Sequence, residues 1–159
     1  MLKKLAGALA TLAVAGGLHA AAPPAALASE FGCGGTLVGS WPVPLTDPSS
    51  GDTYYRSDIR LYHDADTGWS CAVLVKRPGH ERYGVATPMA VQLYTEEWGA
   101  ENWTDGYDGD TGDFTYYAGP VQVYGRDTCV HVRASHGDHA GFGESLYDGS
   151  ADVGPVACG

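Results

Sequence analysis

Downstream of residue 28, apolar residues nowhere recur at 3.6-residue spacing over three turns. They alternate instead, in short runs cut by Gly, Asp and Pro. Period-two alternation sends successive side chains to opposite faces, which is the pattern of half-buried strands and not of amphipathic helices. Tyr55, Ser57, Ile59 and Leu61 alternate with Tyr54, Arg56, Asp58 and Arg60. Trp69, Cys71, Val73 and Val75 alternate with Ser70, Ala72, Leu74 and Lys76. The intervening His63–Gly68 is a turn sequence with a glycine free to take positive φ, so the two runs predict a hairpin. With 23 glycines and 9 prolines, helix is further disfavoured. The fold class expected is all-β, a single antiparallel β-sandwich or barrel-like domain.

The densest β-forming stretch is Asp113–Val132. It predicts strands at Phe114–Ala118 and Val121–Tyr124 broken by Gly119-Pro120, then a Gly125–Asp127 turn and a third strand carrying Cys129. Thr36–Trp41 reads as strand, and Pro42, Pro44 and Pro48 confine the chain from there to Ser50 to an edge or loop. Val85–Tyr94 alternates, with Pro88 pointing to an edge or a bulge. Thr95–Gly112 is expected to be irregular, Arg133–Gly143 a His/Gly loop, and Glu144–Tyr147 a last short strand.

Lys3-Lys4, an Ala/Leu-rich apolar stretch and Ala26-Leu27-Ala28 match the layout of a secretory signal over residues 1–28. That leaves Ser29–Gly159 as a single secreted β domain of 131 residues, enough for a core of its own. It carries 7 Lys+Arg against 19 Asp+Glu, a formal charge of −12. Such a surface repels phosphate backbones and anionic membranes, so no nucleic-acid partner and no membrane association after cleavage are expected. The four cysteines Cys33, Cys71, Cys129 and Cys158 are an even set in an exported chain and predict two disulfides. Pairing in sequence order, Cys33–Cys71 and Cys129–Cys158, closes the shorter loops; the other connectivities remain open at this level.

Candidate chemistry is sparse. His131, His136, Asp138 and His139 are residue types that zinc and copper take, but their spacing fixes no two ligands on one face, so a solvated loop and no metal are expected. Asp105, Asp108, Asp110 and Asp113 alternate with glycines as calcium loops do, but fail the EF-hand spacing, so an acidic hairpin loop is expected. No G-x-S-x-G elbow marks Ser135 or Ser145 as a nucleophile. Glu96, Glu97 and Glu101 lie beside tryptophans, as in glycosidase clefts, but adjacent glutamates point apart. No catalytic residue and no cofactor are expected. Trp98, Trp103 and Tyr107 are the candidate ligand platform, of the kind that stacks on sugar rings.

The run Thr115–Tyr124, with Thr128-Cys129-Val130 after it, resembles the YYAGPVYV…GTCV stretch of the spore-associated protein A family, small secreted proteins of Streptomyces and related actinobacteria. Trp69–Val75, Pro88–Val91, Trp103 and the terminal Ala157-Cys158-Gly159 are similar to further family segments, and all four cysteines are kept. After Val130 this chain has His131-Val132-Arg133 where the family commonly has Trp-Gly-Gly. The acidic Trp98–Asp113 segment is also longer than the family pattern. The resemblance implies the fold, the disulfides and a secreted protein of the spore or cell surface, with no defined catalytic residues. The expected function is therefore non-catalytic binding, to a cell-wall polysaccharide or a secreted protein. The alternatives are a carbohydrate-binding module and a small inhibitor or toxin-complex component.

Overall fold

The computed structural model describes residues 31–47, 50–97, 106–137 and 148–158. Its nucleus is the expected hairpin: β2 (Thr53–Asp64) and β3 (Trp69–Lys76) pair in unbroken register from Ser57–Lys76 to Asp64–Trp69. The turn between them has Gly68 at φ 80°. Around it lie β1 (Thr36–Thr46), β4 (Thr87–Thr95), β5 (Tyr107–Phe114), β6 (Tyr117–Tyr124), β7 (Val130–Gly137) and β8 (Asp148–Val156). Every pairing is antiparallel, in the order β5-β4-β7-β8-β1-β2-β3-β6. The two end strands, β5 and β6, lie side by side, so the eight-stranded sheet curls into a nearly closed barrel. No helix occurs among the described residues.

The barrel interior is filled by the inward half of each alternation. Ile59 and Leu61, Ala72 and Leu74, Met89, Val91 and Leu93, Val121 and Val123, and Val130 and Val132 meet there, each at most 2% exposed. Filling a small barrel with branched side chains is what excludes water from it. A second cluster lies outside the wall. Tyr62, Cys71, Val73 and Val75, on the outward face of β2 and β3, are covered by Phe31 and Cys33. The lead-in is pinned there by the Cys33–Cys71 disulfide, while Cys129–Cys158 ties the chain end to the start of β7. Both bridges follow sequence order.

Several strand bounds differ from the sequence expectation. β6 runs straight through Gly119-Pro120. Gly119, at φ 97°, passes so close to β3 that an added Cβ would sit 3.0 Å from the Ala72 carbonyl oxygen. The register shifts between Ala72 and Leu74, so the Gly-Pro pair makes a bulge and not a break. The real break is Thr115-Tyr116, which ends β5. β5 itself occupies the acidic segment expected to be an irregular loop. β7 continues to Gly137, through half of the expected His/Gly loop. The last described strand is β8; Glu144–Tyr147 lies outside the described residues, as does the signal segment.

The prolines are tolerated where ladders are one-sided. β1 is paired along its length with β2 but meets β8 in register only at Leu45–Gly149, so Pro42 and Pro44 lie on its edge side. Pro88 is not on an edge strand, because β4 lies between β5 and β7. It stands before the β7 ladder begins at Met89.

Candidate functional site

The polar groups that point into the barrel among the described residues are hydrogen-bonded within it, Lys76 to backbone carbonyls and His136 to Thr87 and Ser57. Ser57, Lys76, Thr87 and His136 point inward at one end of the barrel, each 1% exposed or less. The Lys76 ammonium donates to the carbonyls of Val85 at 2.6 Å, Phe114 at 2.7 Å and Arg82 at 3.3 Å. The His136 ring lies between the Thr87 hydroxyl, 3.0 Å from Nε2, and the Ser57 hydroxyl, 3.2 Å from Nδ1. Buried and hydrogen-bonded in this way, the four side chains have the arrangement of a satisfied polar plug.

The two candidate metal ligands that lie on β7 are not drawn together by it. His131 and His136 are five residues apart on a strand and so face opposite ways. His131 is outward, stacked on Tyr94 with ring centroids 5.2 Å apart, and its Nε2 lies 3.8 Å from Glu96. Asp138 and His139 lie outside the described residues. Ser135 and His136, as neighbours on a strand, also face apart and form no nucleophile–base pair. Among the described residues no group of three or more His, Cys, Asp or Glu is placed to hold a metal ion.

The acidic segment has a structural task that the sequence did not signal. Asp110 Oδ2 accepts the Gly119 amide at 2.8 Å, and Asp108 Oδ2 accepts the Gln122 amide at 2.7 Å. These carboxylates on β5 thus bond to the free edge of β6 across the seam of the barrel. Two of the four acids that alternate with glycines as calcium loops do are engaged in this way. Trp98 and Trp103 of the candidate platform lie outside the described residues, and Tyr107 is half-buried on β5.

The aromatic surface lies elsewhere, on the outer side of β2, β3 and β6 and the turns at their ends. Tyr83 and Tyr116, in separate turns, meet edge to face at 5.1 Å. Phe31–Tyr117 and Trp69–Tyr124 meet the same way, at 69° and 68° between planes. Arginines interleave with them: Arg56 over Tyr54, Arg77 over Tyr55 and Arg60 over Phe31, at 5.0–5.8 Å from the ring centroids. Arg56 is held by Glu81 at 2.7 Å, and Arg77 forks onto Asp58, whose carboxylate raises the guanidinium pKa further. Five of the seven cations downstream of residue 28 lie in Arg56–Arg82, accompanied there by only four of the nineteen acids. The stretch that supplies much of this Tyr/Arg face thus carries one more cation than anion, with Lys76 buried inside the barrel and Arg56 and Arg77 paired with Glu81 and Asp58.

Other surface features are shallower in chemistry. A depression of about 430 Å³ at β4, β5, β7 and β8 is lined by residues that include Pro88, Thr111, Asp113, Ser135, His136 and Ser150. Another, of about 450 Å³, lies between the turns carrying His63, Gly68 and Arg126. The turn beside it is fixed by Asp64, whose carboxyl is held below the usual carboxylate range by the Thr67 hydroxyl and the Thr67 and Asp66 amides. On β4, β7 and β8 Arg133 pairs with Asp152 at 2.8 Å across the strands, and burial and Asp152 push the Tyr94 phenol up. Comparison with protein-family models, curated proteins and solved structures returns no match.

Proposed function

We propose that this protein is a secreted, non-catalytic binding protein of the spore or cell surface that docks on a polypeptide partner through its Tyr/Arg face. The carrying observation is the face itself: tyrosines 40–50% exposed, held by arginines and ion pairs on a covalently locked barrel. Tyrosine and arginine are the residues that dominate binding energy at protein interfaces, because they bring large contact area at little entropic cost. The rings meet edge to face, which suits a contoured protein surface better than the flat stacking of a sugar ring. Two disulfides, and the lack of any helix among the described residues long and apolar enough to cross a membrane, are compatible with a secreted or extracellular protein. Surface association rests on the sequence resemblance. Non-catalytic action is supported by the hydrogen bonding of Lys76 to backbone carbonyls and of His136 to Ser57 and Thr87 inside the wall.

The test is capture by the purified, oxidised protein, with cell-wall polysaccharide and secreted proteins of the producing organism offered in parallel. Retention of one protein, lost at least tenfold in Tyr55→Ala/Tyr117→Ala, is the expected result. Retention on polysaccharide, unaffected by that variant, makes the protein a carbohydrate-binding module instead.

A further inference from the structure

The tyrosine pair at the end of the barrel has a geometry that docking does not require. Tyr83 lies in the turn between β3 and β4, and Tyr116 in the turn between β5 and β6, 33 positions further along the chain. Their rings are 5.1 Å apart at the centroids and are 42% and 50% exposed. Both turns are fixed by the same buried residue. The Lys76 ammonium holds the carbonyls of Arg82 and Val85 on either side of Tyr83, and that of Phe114 two residues before Tyr116. The Lys76 amide donates to the Tyr116 carbonyl at 2.9 Å, and the Gly84 amide to that of Thr115 at 3.2 Å. Two phenols open to solvent are thus placed beside each other on anchored backbone.

We propose that Tyr83 and Tyr116 form a site of oxidative cross-linking, a dityrosine staple closed by an extracellular haem peroxidase using hydrogen peroxide. Each phenol gives up one electron and its hydroxyl proton to become a phenoxyl radical. The radicals combine at their ortho carbons, forming one C–C bond, and both rings regain aromaticity as the two ortho hydrogens move to the oxygens. The pair loses two electrons and two protons in all, which reduce one peroxide to two waters. Proximity is what selects this pair. Tyr54, Tyr55, Tyr117 and Tyr124 are just as exposed, at 40–45%, so diffusional oxidation alone would not prefer Tyr83 and Tyr116 over them. Coupling between two held groups is effectively unimolecular, and such pre-orientation outcompetes encounter between molecules by orders of magnitude.

The experiment treats dilute, disulfide-intact protein with horseradish peroxidase and limiting peroxide, then applies proteolysis and mass spectrometry. The expected product is monomeric protein lighter by two hydrogens, with dityrosine fluorescence and one dominant cross-linked peptide joining Tyr83 to Tyr116. Tyr83→Phe and Tyr116→Phe each keep the fold and the ring contact but remove the phenol, and each lowers intramolecular dityrosine at least tenfold. Tyr55→Phe, equally exposed, leaves it unchanged. Dityrosine that persists in both Phe variants, or that appears only in covalent dimers at every dilution, overturns the assignment. Because the readout is a covalent product of the purified protein, it is independent of whether any partner docks.

Discussion

Lys76 is the residue whose position is least expected from its chemistry, since a lysine is rarely fully buried unless its charge is met. Period-two alternation leaves it no choice: with Ala72 and Leu74 inward, the next inward position of β3 is Lys76. Three carbonyls from two turns converge on its ammonium, so the charge that should oppose burial becomes the tie between those turns. Lys76→Met keeps the apolar stem but strands the carbonyls of Arg82, Val85 and Phe114. A buried carbonyl left without a donor costs roughly 1–3 kcal/mol, so the three together set a loss of several kcal/mol at most. The urea midpoint should fall accordingly, and the Tyr83 and Tyr116 turns should lose hydrogen-exchange protection first. A loss below about 1 kcal/mol would mean that water or neighbouring donors re-satisfy the carbonyls.

The elements most legible in the sequence were those whose alternation is undisturbed. The β2–β3 hairpin, the inward set of β4 and the all-β class come directly from period two. The misread strands share one cause, because each is held by something other than alternating hydrophobicity. β1 passes two prolines on its edge side, and β6 absorbs Gly119-Pro120 as a bulge. β5 carries acids on its inward face: Asp108 and Asp110 share the side of half-buried Phe114. Inward charge on an edge strand usually guards against pairing with another chain. Here the same carboxylates bind the edge amides of the strand facing them. Asp108→Ala/Asp110→Ala removes both acceptors, and at about 1–3 kcal/mol for each amide left without one, stability should fall by several kcal/mol at most. The sharper readout is local: the Gly119 and Gln122 amides should exchange faster, while the Ala72 and Leu74 amides stay protected. Equal acceleration in all four would mean that the seam does not open independently of the barrel.

At the scale of the whole molecule, the aromatic face was hidden from the sequence because β2 and β3 bury side chains on both sides. Alternation shows two faces but not that the lead-in Phe31–Cys33 covers part of the outer one, leaving Tyr55, Tyr117 and Trp69 outside it. The disulfides decide whether this arrangement persists. The Cys33–Cys71 bridge closes a separation of 38 residues and holds the cover on the outer cluster; Cys129–Cys158 closes 29 and holds the chain end beside β7. On loop-closure entropy each restricts the unfolded chain by about 3–4 kcal/mol, comparable in sum to the net stability of an ordinary domain. Reduction should therefore lower Tm by more than about 15 °C for a domain of this size. The two bridges should differ in kind as well. Cys33→Ser/Cys71→Ser uncovers Val73 and Val75 and should raise binding of a hydrophobic dye before the barrel melts. Cys129→Ser/Cys158→Ser, which covers no second cluster, should lower Tm without that early signal. Identical dye profiles for the two variants would show that the lead-in is held by its own packing and needs no covalent tie.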